Sequence, residues 1–91
     1  MTRLDLISEL LRYEDIEGLL SMGAPDDEYE SEAEMIADRV GEVEERSSEK
    51  ITREEVEEIV AAVWKKRFGL SDAHVQRRRD AFAAIAARLV P

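Results

Sequence analysis

The run Ile51-Thr52-Arg53-Glu54-Glu55-Val56 constrains this chain more than any other stretch. Thr52 followed three residues later by Glu55 is a capping box. The threonine hydroxyl accepts from an N–H of a helix's first turn, and the glutamate reaches back to the threonine's own N–H. Ile51 and Val56 flank the box at staple positions, which fixes how the chain turns into the helix. Beyond it Val56, Ile59, Val60, Val63 and Trp64 recur at helical spacing and make one wide apolar face. Lys65, Lys66 and Arg67 fall in the last turn, where cations complement the helix dipole. Gly69 then suits the left-handed position that closes a helix.

The rest of the chain repeats this grammar, and no stretch shows the apolar/polar alternation of a strand. A first helix starts at Thr2, with Asp5 three residues on and Met1 and Leu6 placed as a staple. Leu4, Ile7, Leu10 and Leu11 form its stripe, and it ends near Tyr13. A second helix starts between Asp27 and Ser31, with Ser31 as cap and Glu34 as its box partner. It carries Ala33, Ile36, Val40 and Val43 inward and fades in the polar connection 45–50, which holds two serines. A fourth helix starts at Ser71, with Leu70 and Val75 as staple and Val75, Phe82, Ile85, Ala86 and Leu89 as stripe. Between the first two helices, Gly18 and Gly23 punctuate a segment in which Ile16, Leu19 and Leu20 need burial. A short extra turn near 14–23 is predicted there. The fold class is therefore all-α: one domain over 1–91, a compact array of four helices made irregular by that turn. Trp64 and Phe82 read as core, Met22 and Met35 as gap fillers, and Tyr29 as a plug at the core edge or an exposed recognition residue.

With 91 residues, such a chain buries only about 60–65% of its unfolded surface, so the core is small. There is no cysteine, which excludes disulfides, thiolate metal sites and cysteine nucleophiles. No apolar run is long enough to span a membrane. Met1-Thr2-Arg3 leads straight into an amphipathic stretch, so a cytoplasmic protein is expected. Net charge is −9, unevenly divided: residues 1–58 hold 20 acids against 6 bases, and residues 59–91 hold 2 against 7. The acidic half repels nucleic-acid phosphates and attracts a basic protein.

Residues 23–32 read GAPDDEYESE. Together with the preceding YEDIEGLLSM, this stretch resembles the YugE-like family of small uncharacterised bacterial proteins. Asp15, Ile16, Gly18 and Leu19 match that family's aromatic-Asp-Pro-Ile-Gly stretch. Ala24, Pro25, Asp27, Glu28, Tyr29 and Glu32 match its Gly/Ala-Pro-acidic-acidic-Glu-Tyr loop. The resemblance covers residues 13–40 and departs at Glu17, where the family usually has proline, and at Tyr13–Glu14, where it often has tryptophan. It implies a small helical fold and a bacterial source, and no biochemical activity.

Chemistry-bearing patterns are few. Asp26, Asp27, Glu28, Glu30 and Glu32 supply oxygens suited to hard cations, yet neither register of an EF-hand loop fits them. Acids also gather at helix starts because the dipole favours them there. His74 is the only histidine, read as a surface or cap-adjacent residue. No glycine-rich phosphate loop occurs. Arg78 and Arg79 of the QRRRD run flank the apolar stripe, where their stems can lie on the core rim and pair with acids. No catalytic residue, metal ligand or cofactor is nominated.

One pattern goes beyond folding. Glu30, Glu34, Asp38 and Glu42 recur every fourth residue, opposite Ile36, Val40 and Val43, and like charges so spaced destabilise a helix by roughly 0.2–0.5 kcal/mol per pair. The expected function is a small non-enzymatic interaction domain, immunity-like in character, whose acidic surface engages a basic protein. Its candidate partner-binding residues are Asp26, Asp27, Glu28, Tyr29, Glu30, Glu34, Asp38 and Glu42. The alternatives are self-association, the stripe of one copy meeting Lys65, Lys66 and Arg77 of another, and a metal-binding or hydrolytic role for the loop carboxylates.

Overall fold

Both capping boxes form in the computed structural model, which describes residues 2–25, 27–47 and 49–91. Thr2 Oγ1 accepts from the Asp5 N–H at 3.1 Å while Asp5 Oδ2 accepts from the Thr2 N–H at 3.2 Å, starting α1 (Arg3–Glu14). Thr52 and Glu55 make the same exchange at 3.2 and 3.1 Å and start α3 (Arg53–Phe68). The staple pair Ile51 and Val56 is buried. Gly69 closes α3 at φ 61°, and Leu70 N–H reaches back to the Lys65 carbonyl, the left-handed closure only glycine adopts without strain. Between these helices lies α2 (Glu30–Arg46), and after them α4 (Asp72–Arg77) and α5 (Arg79–Leu89). No strand occurs among the described residues, and none of their helices is long and apolar enough to cross a membrane.

The expected stripes make the core. Ile7, Leu10 and Leu11 of α1, Ala33, Ile36 and Val40 of α2, Val56, Val60, Val63 and Trp64 of α3, and Phe82, Ile85 and Ala86 of α5 are all buried. Fully burying a large aliphatic or aromatic side chain stabilises a fold by about 1.5–3 kcal/mol. Trp64 lies at the centre, its ring 5.8 Å from Tyr29, 5.2 Å from Phe68 and 6.1 Å from Phe82. The broadest helix interface is α3 on α5; α1 packs on α2 and α5, and α2 on α3.

Four expectations need correction or limitation. The fourth helix is two helices, α4 capped by Ser71 and α5, separated at Arg78 (φ −99°, ψ 2°). There the Arg78 N–H turns to the Val75 carbonyl at 3.0 Å, a tighter i→i−3 bond. Ser31 does not cap α2. The cap position falls two residues earlier, at Tyr29, with no side-chain cap, and the Ser31 hydroxyl instead accepts from Arg67 Nη2 at 3.2 Å. Met22 fills no gap: it is 77% exposed, beside turn residues already closed by backbone bonds. The Met1 staple, the Asp26 carboxylate and Ser48 of the 45–50 connection lie outside the described residues. The predicted extra turn is present as a chain of tight turns over 16–23, with Ile16, Leu19 and Leu20 packed against the core.

Candidate functional site

The segment after α1 is organised by two carboxylates two residues apart. Asp15 adopts φ 42°, a left-handed conformation that aspartate tolerates better than most residues. This turns the chain back on the Asp15 side chain. Asp15 Oδ1 accepts from the Leu20 N–H at 3.0 Å and the Tyr29 hydroxyl at 2.7 Å. Oδ2 accepts from the Ser21 N–H at 3.0 Å and its hydroxyl at 2.9 Å. The Tyr29 oxygen accepts in turn from the N–H groups of Glu17 and Leu19, at 3.2 and 3.4 Å. Tyr29 is 1% exposed, so of its two possible orientations it takes the inward one, with its hydroxyl fully engaged.

Glu17 anchors the far side. Arg78 Nε donates to Oε2 at 2.6 Å and Nη2 to Oε1 at 2.9 Å, while Trp64 Nε1 donates to Oε2 at 2.8 Å. This paired fork is the strongest geometry a carboxylate and an arginine can make. Desolvation pushes the Asp15 carboxyl up, but hydrogen bonds from Tyr29, Leu20 and Ser21 outweigh it and hold it at about 2. Burial and the Asp15 carboxylate push the Tyr29 hydroxyl up to about 12. The Arg78 hydrogen bonds hold Glu17 below the usual carboxylate range against desolvation, with Trp64 assisting. Through these hydrogen bonds Asp15 and Tyr29 tie the 15–21 turn to the start of α2.

Not all of the residues expected to meet a partner lie at the surface. Asp27, Glu28, Glu34, Asp38 and Glu42 are exposed. Glu30 is half-buried and accepts from the Ser8 hydroxyl at 3.0 Å. Tyr29 is inside, and Asp26 lies outside the described residues. Glu32 is also buried, with Arg67 Nε 3.5 Å from its Oε2. No group of three or more His, Asp or Glu that could hold a metal ion is present among the described residues.

Five of the basic residues pair with acids away from the stripe. Arg78 holds Glu17, Arg79 meets Glu57 and Glu58 at 3.5 and 3.0 Å, Arg67 meets Glu32, and Lys65 meets Asp72 at 2.6 Å. Arg3 reaches α2 only at Glu44, at 2.6 Å. Among the described residues no ion pair reaches Glu34, Asp38 or Glu42, and none involves Lys66 or Arg77. Arg78 and Arg79 therefore pair with acids at the core rim, as their position beside the apolar stripe predicted.

Asp15 and Glu17 are the organising residues that sequence reasoning missed. The available signal was two acids amid Ile16, Leu19 and Leu20, in a segment whose apolar residues require burial. A groove of about 400 Å³ also opens at one end of the array, floored by Val40, Ile51 and Val56, with Leu89 and Val90 as one wall. No family model matches the chain, and neither the curated proteins nor the solved structures contain a significant match.

Proposed function

We propose that this is a small non-enzymatic interaction protein whose acidic α2 face engages a basic protein partner. One observation carries the reading: among the described residues no ion pair reaches Glu34, Asp38 or Glu42, even with Arg39 and Arg46 on the same helix, whereas Glu17, Glu32, Glu57 and Glu58 are each met by an arginine. Three carboxylates at i, i+4 spacing cost helix stability, and a cationic surface from outside removes that cost. The same charge field repels nucleic acid and speeds encounter with a basic protein. Neutralisation of a basic toxin in a bacterial cytoplasm is one concrete form of this activity.

The resemblance to the YugE-like family belongs to the same proposal. Its aligned Asp15 and Tyr29 are the pair that fastens residues 15–29, which gives those positions a structural purpose without implying chemistry. Self-association is a second reading, favoured by the exposed and unpaired Lys66 and Arg77. Lys65, engaged with Asp72, is less available to it.

The test compares the wild-type chain with a Glu34→Gln/Asp38→Asn/Glu42→Gln variant in affinity capture from the source lysate at low and high salt. A basic protein held by wild type at low salt, released at high salt and lost by the variant supports the proposal. Equal capture by both, or capture insensitive to salt, overturns it. Light scattering that shows association of wild type alone, lost in the variant, assigns the face to a second copy.

A further inference from the structure

Residues 71–89 contain neither proline nor glycine, and the residues around Arg78 are ones that helices accept. Local sequence gives no cause for the break between α4 and α5. A helix without proline is interrupted where a side chain inserts into the i→i−4 ladder, and Arg78 does so here. Arg78 Nη1 donates to the His74 carbonyl at 2.8 Å, the acceptor that Arg78's own N–H takes in a continuous helix. That N–H is diverted to Val75. The same guanidinium is gripped on its other edge by both oxygens of Glu17, 61 residues away. Trp64 holds Glu17 in place from the core.

We propose that segment 71–89 is a conditional joint: Glu17 holds it bent at Arg78, and loss of that grip fuses α4 and α5 into one continuous helix. Phe82, Ile85 and Ala86 anchor α5 in the core, so α4 is the part that moves. Among the helices it packs on α3 and α5. Straightening draws Val75 out of the core and parts Asp72 from Lys65. The bent state is the resting one because it keeps Val75 buried while the guanidinium satisfies the carbonyl that bending frees.

Backbone chemical shifts and amide exchange across 71–89 test this in the full chain. In wild type, position 78 lies outside the helical range between two helical stretches, and the Arg78 Nε–H exchanges slowly. In Arg78→Ala and in Glu17→Leu, position 78 moves into the helical range of its neighbours and its amide gains the protection of a helix interior. Helical shifts at Arg78 in wild type overturn the proposal, as does a break that persists in either folded variant. If neither variant folds, the double variant Glu17→Met/Arg78→Met decides. It leaves no unpaired charge and no donor for the His74 carbonyl, so a helical shift at position 78 supports the joint and an unchanged break refutes it.

Discussion

Replacing Tyr29 with phenylalanine isolates the fastening of the 15–29 segment. The ring stays, and with it the stacking on Trp64 at 5.8 Å; one oxygen is lost. That oxygen donates to Asp15 at 2.7 Å and accepts from two backbone N–H groups at 3.2 and 3.4 Å. A hydrogen bond to a charged group contributes about 1.5–3 kcal/mol. The two accepted bonds are long and lie on half-buried residues, where water can replace the lost oxygen. A cost of about 2 kcal/mol follows. For a domain of this size it lowers the melting midpoint by about 8–16 °C. Thermal denaturation followed by circular dichroism measures it, with Asp15→Asn and the double variant completing a cycle.

The pH dependence has a definite sign. The folded Asp15 carboxyl lies at about 2 against an ordinary 3.8, so its stabilisation is complete above the ordinary value and is lost as pH falls through the folded one. Tyr29→Phe removes one of the bonds that depress it. The gap between wild type and variant is therefore widest near neutrality and narrows as pH falls through that window. A midpoint within about 2 °C of wild type at neutral pH, or a loss unchanged in the Asp15→Asn background, refutes the reasoning.

Four further predictions rest on the same geometry. Trp64→Ala removes the side chain at the centre of the core and should cost about 3–5 kcal/mol in denaturant titration. Thr52→Ala breaks the α3 capping box and should cost about 1 kcal/mol, read the same way. The Glu34→Gln/Asp38→Asn/Glu42→Gln variant should melt higher than wild type at low salt, by about 0.2–0.5 kcal/mol per relieved pair, with the difference closing at high salt. Glu32 Oε2 is buried without a hydrogen-bond partner, so Glu32→Met should be neutral or stabilising in the same titration, whereas Arg67→Ala, which removes the nearby cation, should destabilise.

Features decided by near neighbours were legible in the sequence. Thr2 with Asp5, Thr52 with Glu55 and the Gly69 closure each depend on residues within a few positions, and the apolar stripes follow from helical spacing. What stayed hidden depends on distant partners. Nothing near Arg78 marks a break, because Glu17 imposes it from across the molecule. Ser31 has the chemistry of a cap, yet the turn through Pro25 and Asp27 starts α2 at Glu30, leaving Ser31 to Arg67. The acidic stripe was readable as a pattern on a helix. That no ion pair among the described residues reaches Glu34, Asp38 or Glu42 is visible only in the geometry.

Trp64 gives the molecule a spectroscopic consequence. It is the only tryptophan, and its indole N–H ends on Glu17 while its ring lies 5.8 Å from Tyr29. At that separation the tyrosine transfers its excitation to the indole instead of emitting. The colour and yield of a single native fluorophore therefore register both the Asp15–Tyr29 fastening and the Glu17–Arg78 grip, without any attached dye. A red-shifted indole with tyrosine emission raised above that of the exposed Tyr13 marks release of the loop. A changed indole environment with transfer intact marks movement at Glu17 alone.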